Sequence, residues 1–313
     1  MTKRAFIFPG QGSQFIGMGK EAADQYAEAR EVFEAVDDAL GQKLSRIIFE
    51  GPIEELTLTS NTQPALMATS IALLKVIEKQ TGKTLPELCN YVAGHSLGEY
   101  TALCAAGAIE LGDTARLLRI RGDAMQAAVP AGQGGMAALI GVDFQQADEI
   151  AKEAAKGETC QAANDNGGGQ VVVSGAVGAI ERVLEVAAAK GVKRAVKLPV
   201  SAPFHSDLMK PAADKMRDAL AAVTVNTPSV PLIANVTAEE VTDPQKIRDL
   251  LVDQVTGMVR WRESIEKLHA LGVEELFEIG AGKVLSGLTR RIESSLKSTS
   301  LQTPENVDAA FAV

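Results

Sequence analysis

From residue 5 to about residue 129, short apolar runs alternate with longer segments whose apolar positions recur every three or four residues. The short runs read as buried strands and the long segments as amphipathic helices. That order predicts an α/β fold with a mainly parallel sheet. The first strand is the run Ala5, Phe6, Ile7, Phe8, ended by Pro9-Gly10. Thr62, Gln63 and Pro64 are read as opening a helix that carries Leu66, Ile71, Leu74 and Ile77. Proline suits a first helical turn, where its missing N–H costs nothing. A further helix over 113–129 places Leu117, Leu118, Ile120, Ala124 and Met125 on its apolar side and turns Arg116, Arg119 and Asp123 to water.

The rhythm changes between 131 and 200. Strand 136–142, helix 144–156, strands 161–164 and 170–174, helix 177–190 and strand 195–198 follow one another. This βαββαβ order is that of a split-βαβ, ferredoxin-like module. Gly132-Gln133-Gly134-Gly135 and Pro199 bracket it, so 131–199 is read as a subdomain inserted into a main body of 1–130 and 200–313. Apolar runs at 231–236 and 275–279 complete that body. The tail from about Ser294 is polar and without periodicity, and is expected to be loosely held.

Composition narrows the partners. A net charge of −9 over 313 residues argues against nucleic acid. An acidic partner would need a local basic patch, for which Lys190, Lys193, Arg194 and Lys197, or Arg290 and Arg291, are candidates. Cys89, Cys104 and Cys160 are isolated thiols without metal-like spacing, which fits a reducing, cytoplasmic setting. The leading apolar run stops at Pro9-Gly10, too early for a signal-peptide core, and none approaches the ~18 residues of a membrane span.

The chemistry centres on Gly94-His95-Ser96-Leu97-Gly98. An apolar run enters it and a small-residue helix leaves it, the pattern of a strand–turn–helix that lifts a serine hydroxyl out of the sheet. Ser96 is therefore the candidate nucleophile, and it needs a base. His95 adjoins it, on a segment where neighbouring side chains diverge. His269 lies near the end of an amphipathic helix and suits its C-terminal dipole. His205, in Ala202-Pro203-Phe204-His205, stands where a strand ends and a helix begins, and is the candidate base. No carboxylate can be chosen as third member, which leaves open a histidine oriented by a carbonyl group. Arg121 shares the face of Leu117 and Met125. A guanidinium aimed into a core needs an anion, either an internal partner or a substrate carboxylate held by its planar fork. Gly10-x-Gly12 is not a dinucleotide fingerprint, because Phe15 stands where the third glycine would be.

Phe8-Pro9-Gly10-Gln11-Gly12-Ser13-Gln14, Asn61-Thr62-Gln63-Pro64-Ala65, Gly94 to Tyr100, Arg121-Gly122 with Met125-Gln126, and Pro203-Phe204-His205 occur in one order. Gln254, Val259-Arg260-Trp261 and Glu278-Ile279-Gly280 follow them. In these motifs the chain resembles the malonyl-CoA:acyl carrier protein transacylases of bacterial type II fatty acid synthesis, over residues 6 to about 291. The resemblance implies a hydrolase-like α/β body with a ferredoxin-like subdomain and the active site in the cleft between them. It implies Ser96 as nucleophile and His205 as base, with the N–H groups of Gln11 and Leu97 as oxyanion hole. Arg121 would grip the malonyl carboxylate, and Gln254 would orient the histidine through its main chain. Gln63, Met125, Phe204 and Asn164 join the substrate-contacting set on the same ground. Malonyl-CoA and acyl carrier protein would be the partners of a monomeric enzyme with no metal and no cofactor of its own, phosphopantetheine being carried by the partner. Gly257-Met258, Ala281 and Gly168 depart from the usual pattern, all in loops. A serine hydrolase, a polyketide-pathway acyltransferase and a non-catalytic carrier-protein scaffold are the alternatives.

Overall fold

The computed structural model describes residues 2–200 and 202–311. Its strands are β1 (Lys3–Phe8), β2 (Tyr91–Gly94), β3 (Gly134–Ile140), β4 (Cys160–Gly167), β5 (Gln170–Ala176), β6 (Arg194–Lys197), β7 (Leu232–Ile233), β8 (Glu240–Val241), β9 (Val273–Ile279) and β10 (Lys297–Leu301). Six of them form one sheet in the order β10-β9-β1-β2-β7-β8, parallel apart from β7 with β8. Ala5, Phe6, Ile7 and Phe8 are wholly buried, as a central parallel strand covered on both faces must be. Ala5 to Phe8 of β1 pair residue by residue with Tyr91 to Gly94 of β2. That register releases the loop after Phe8 and the turn after Gly94 side by side, at the carboxyl ends of the strands where open α/β sheets collect their sites.

Four strands form a second, antiparallel sheet in the order β4-β5-β3-β6. Helices Phe144–Ala155 and Val177–Ala189 cover it, burying Ile150, Ala151, Ile180 and Val183 against Ala137, Leu139 and Val173. This is the ferredoxin-like arrangement that the βαββαβ order predicts. β4 is tied to the segment that leads into helix Trp261–Ala270. Val259 N–H donates to the Ala163 carbonyl at 2.9 Å, and Asp165 N–H donates to the Val259 carbonyl at 3.0 Å. The buried Asp165 carboxylate also takes Arg262 Nε at 2.9 Å.

Three expectations need correction. The helix expected to open at Thr62 begins a turn earlier and runs Thr59–Thr81, so Pro64 lies inside it. The side chains of Asn61 and Thr62 donate to the carbonyls of Glu55 and Leu56 at 2.8 and 2.5 Å and secure that extra turn. Ile120, assigned to an apolar face, is 39% exposed, whereas Arg119 is half-buried and donates to Asn61 and Gln42. The tail is not loose. β10 extends the parallel sheet along β9, Leu296, Leu301 and Val307 are buried, and helix Pro304–Phe311 stacks Phe311 on Phe277 with ring centroids 5.1 Å apart. A few well-spaced apolar residues suffice at a sheet edge, where one face needs cover. Among the described residues no helix is long and apolar enough to cross a membrane.

Candidate active site

β2 ends at Gly94, and helix Leu97–Ala105 starts at Leu97, so His95 and Ser96 make the whole turn. Steric exclusion shapes it. A Cβ on Gly94 would run into the Gly98 carbonyl, and one on Gly98 into the Phe8 carbonyl of β1. With glycine at both places the helix closes tightly on the sheet, and Ser96 is forced to φ 54°, ψ −111°, a conformation costly for a residue with a side chain. Asn235, just past β7, holds that backbone: its Oδ1 accepts the Ser96 N–H at 2.8 Å and its Nδ2 donates to the Gly94 carbonyl at 2.7 Å. Leu97 is the first residue of its helix, where N–H groups have no intrahelical acceptor.

His205 faces the hydroxyl, its Nε2 2.7 Å from Ser96 Oγ. Its Nδ1 lies 2.9 Å from the Gln254 carbonyl and 3.1 Å from the Gly257 carbonyl. Carbonyl oxygens only accept, so Nδ1 carries the proton and Nε2 presents its lone pair to the serine. Burial, then the neighbouring Arg121 charge, pushes the imidazole down to about 3, and His205 is neutral at ordinary pH.

Arg121 comes from helix Leu111–Ala127 and is 1% exposed. Its Nη1 donates to Gln63 Oε1 at 2.8 Å, and its Nη2 to Gln254 Oε1 at 2.8 Å and Ser96 Oγ at 3.1 Å. Arg121 Nε is buried without an acceptor. The Tyr100 ring lies beneath the guanidinium, its centroid 5.6 Å from Cζ.

These groups open on a cavity of 360 Å³ between the two sheets. Gln11, Gln63, Ser96, Leu97, Arg121, Met125, Asn164, Phe204 and His205 all line it. Gln254 does not; it is wholly buried behind the wall. His95 also lines the cavity, with Nε2 2.9 Å from Asn166 Oδ1 and its ring 5.5 Å from that of Trp261. His269 is exposed, 4.0 Å from Glu293 and remote from these residues in the fold. Among the described residues no cluster of three or more His, Cys, Asp or Glu side chains is placed to hold a metal.

Asn235 and Glu99 belong to the site and received no role from sequence. Asn235 ends a short apolar run, the strand-end position at which functional groups collect. Glu99 sits on an otherwise small and apolar helix, three residues after Ser96. Its Oε2 accepts from Gln254 Nε2 at 2.6 Å and from the Asn235 N–H at 3.3 Å. Burial raises its carboxyl to about 7, against those hydrogen bonds and the Arg121 charge.

Comparison with known proteins identifies the family. Residues 5–306 match the acyl transferase domain family. A malonyl CoA-acyl carrier protein transacylase of Bacillus subtilis is 48% identical over 312 residues, 99% of this chain and 97% of the relative. The crystal structure of an acyl-carrier-protein-S-malonyltransferase from Bartonella henselae superposes with a TM-score of 0.97 at 59% identity, covering 99% of this chain and 98% of the other. A malonyl-transacylase solved in complex with a type II polyketide synthase acyl-carrier protein gives 0.95 at 40% identity, with 99% of each chain covered. The family match spans residues 5–306 and the relatives match over nearly the whole chain, so the chain belongs to the acyl transferase family, among its malonyl-CoA:acyl carrier protein transacylases.

Proposed function

We propose that this protein transfers the malonyl group of malonyl-CoA to the phosphopantetheine thiol of acyl carrier protein, by way of a malonyl ester on Ser96, and so supplies extender units for fatty acid synthesis. One observation carries the reading: the Ser96 hydroxyl lies 2.7 Å from a base and 3.1 Å from a buried guanidinium. In malonyl the carboxylate and the thioester carbonyl are separated by a single methylene. A carboxylate held on the fork of Arg121 therefore leaves the thioester carbon within reach of Ser96 Oγ.

In the first half-reaction His205 Nε2 takes the hydroxyl proton as Oγ attacks the thioester carbon. The carbonyl oxygen becomes an oxyanion facing the N–H groups of Gln11 and Leu97. Loss of one such donor typically costs ~2.7–4 kcal/mol. The C–S bond then breaks and His205 returns the proton to the CoA thiolate. In the second half-reaction the pantetheine thiol gives its proton to His205 and attacks the ester, and Ser96 leaves with that proton restored.

The substrate charge assists this base. Arg121 is the second cause of the depressed His205, and an anion on the guanidinium offsets it, so the imidazole becomes a stronger base when the acyl group carries a carboxylate. Gln63 and Gln254 hold the guanidinium, and the main chain of Gln254 orients His205. Met125 and Phe204 supply apolar wall and Asn164 a polar edge. The 131–199 unit acts as the second wall of the cleft, through Met136, Asn164, Asn166, Gln170, Val172 and Leu198. The three free cysteines suit a protein working in the reducing cytoplasm.

The test is a time course with malonyl-CoA, with and without acyl carrier protein bearing its phosphopantetheine arm. Malonyl-carrier is expected to form much faster than free malonate. Release of malonate at one rate whether or not the carrier is present would reassign the chain to thioester hydrolysis.

A further inference from the structure

Among the described residues, Glu99, Arg121 and Glu278 are the charged side chains within 1% of complete burial that form no direct ion pair, and of the buried carboxylates only Glu99 has neither an ion pair nor N–H donors at a helix N-terminus. The other buried carboxylates are provided for. Asp37 has Lys43 and Ser45, Asp165 has Arg262, and Glu278 accepts the N–H groups of Leu285 and Ser286 at the start of a helix. Burying an uncompensated charge is expensive. Yet Glu99 and Arg121 are each 1% exposed and stand on neighbouring helices.

One amide connects them. Gln254 Nε2 donates to Glu99 Oε2 at 2.6 Å, and Gln254 Oε1 accepts Arg121 Nη2 at 2.8 Å. A carboxylate only accepts and a guanidinium only donates, so the amide has one permitted orientation between them, its positive N–H end on the anion and its negative oxygen on the cation. Nε2 also donates to the Ser96 carbonyl at 2.9 Å, which ties the relay to the nucleophile turn.

We propose that Glu99 is the resident counter-ion of Arg121, relayed through the Gln254 amide, and that it competes with the substrate carboxylate for that cation. Glu99 is then a positioning and specificity-determining residue that touches no reacting atom. The proposal rests on the reading of Arg121 as the malonyl carboxylate site. Before malonyl arrives the two interior charges cancel wherever Glu99 is ionised. Once it is bound, two anions share one cation in a low-dielectric interior, and the strain is relieved when Glu99 takes up a proton.

The other groups facing Glu99 do not supply that relief. Tyr100, on its own helix, is held neutral by burial, which raises its phenol. His205 across the turn is neutral, and Gln254 and Asn235 are uncharged. The Glu99 carboxyl already stands at about 7, so a second anion draws in a proton near neutrality. The sign follows. Below pH 7 Glu99 is protonated and Arg121 is free for malonyl; above it the carboxylate competes, so the malonyl KM rises through neutrality.

The experiment measures acyl-enzyme formation from malonyl-CoA and from acetyl-CoA in the intact protein and in Glu99→Gln, Glu99→Asp and Arg121→Ala. Glu99→Gln keeps the shape and an acceptor for Gln254 while removing the charge. Its malonyl-to-acetyl ratio of kcat/KM is expected to rise about fivefold or more, with a malonyl KM that no longer varies between pH 6 and 8. Glu99→Asp, which restores the charge, should return the ratio towards the parent value, and Arg121→Ala should collapse it. An unchanged or lower ratio in folded Glu99→Gln, with Arg121→Ala collapsing as expected, overturns the proposal alone. An unchanged ratio in Arg121→Ala overturns the reading of Arg121 and the proposal with it.

Proton uptake by the parent protein gives a second test that holds even where the variants do not fold. Acylation itself neither consumes nor releases a proton near pH 7. In weakly buffered indicator solution, malonyl loading should therefore take up a fraction of a proton more than acetyl loading. Equal uptake would contradict the proposal.

Discussion

The turn that carries Ser96 and the pocket that carries Arg121 lie against each other and are built in opposite ways. Steric exclusion makes the turn: a Cβ on Gly94 would meet Gly98, one on Gly98 would meet Phe8 of β1, and Ser96 is forced to φ 54°. Polar bonds across the chain make the pocket. Gln63, Glu99, Arg121 and Gln254 meet there from four helices, with Asn235 beside them. The turn tolerates no added carbon, and the pocket tolerates no lost charge or amide. Damage to the turn should therefore affect every acyl group alike, whereas damage to the pocket should change which acyl group is chosen.

The largest effect expected is at Ser96 itself. Ser96→Ala removes the attacking oxygen from a turn whose backbone is held by Gly94, Gly98 and Asn235, so acyl-enzyme should vanish while the melting temperature stays near that of the parent. Intact-protein mass after malonyl-CoA exposure, with a thermal melt, checks both halves. Gly98→Ala attacks the scaffold instead. Its added carbon meets the backbone carbonyl of Phe8, which cannot swing aside as a side chain would. The expected loss is about 3 kcal/mol, read from a denaturant midpoint, with malonyl and acetyl transfer falling in parallel.

On the pocket side, Gln63→Ala leaves Arg121 Nη1 without its acceptor at 2.8 Å. A buried donor left unpaired costs ~1–3 kcal/mol, and here the loss should fall on malonyl rather than acetyl transfer, by about tenfold in their ratio. Equal losses would make Gln63 part of the general scaffold. The smallest effect is on pH. His205 is depressed to about 3, so it remains neutral as pH falls from 7 to 5, where an ordinary histidine would be mostly protonated. With acetyl-CoA, which does not engage Arg121, kcat/KM should change less than about twofold over that range. A decline centred near 6.5 would mean that His205 is not shielded as described.

The same contrast explains what could be read from the chain. The strand–turn–helix around Ser96 was legible because its signal is local, a handful of consecutive residues between an apolar run and a small-residue helix. The βαββαβ order was legible from periodicity, and Arg121 from a charge on the face of Leu117 and Met125. His205 emerged by elimination, since one histidine is too close to Ser96 and another is on a surface helix. Glu99 and Asn235 were not legible, because their meaning lies in bonds that span 155 and 139 residues. No local pattern announces such a partner. Pro64 misled because proline marks a helix start on average, while side-chain bonds from Asn61 and Thr62 carried this helix a turn further back. The tail misled because an edge strand and a short helix need few apolar residues, and Leu296, Leu301 and Val307 are too sparse to show a period.

The central claim is that one hydroxyl is shared between a neutral base and a carboxylate-binding cation. Its most direct test offers the protein malonyl-CoA and acetyl-CoA at equal concentration, quenches within one turnover, and maps the adduct by peptide mass. The account predicts a malonyl ester on the Ser96 peptide, in large excess over acetyl, that disappears when acyl carrier protein with its pantetheine arm is added. Equal malonyl and acetyl loading, or an adduct on any other residue, would contradict it.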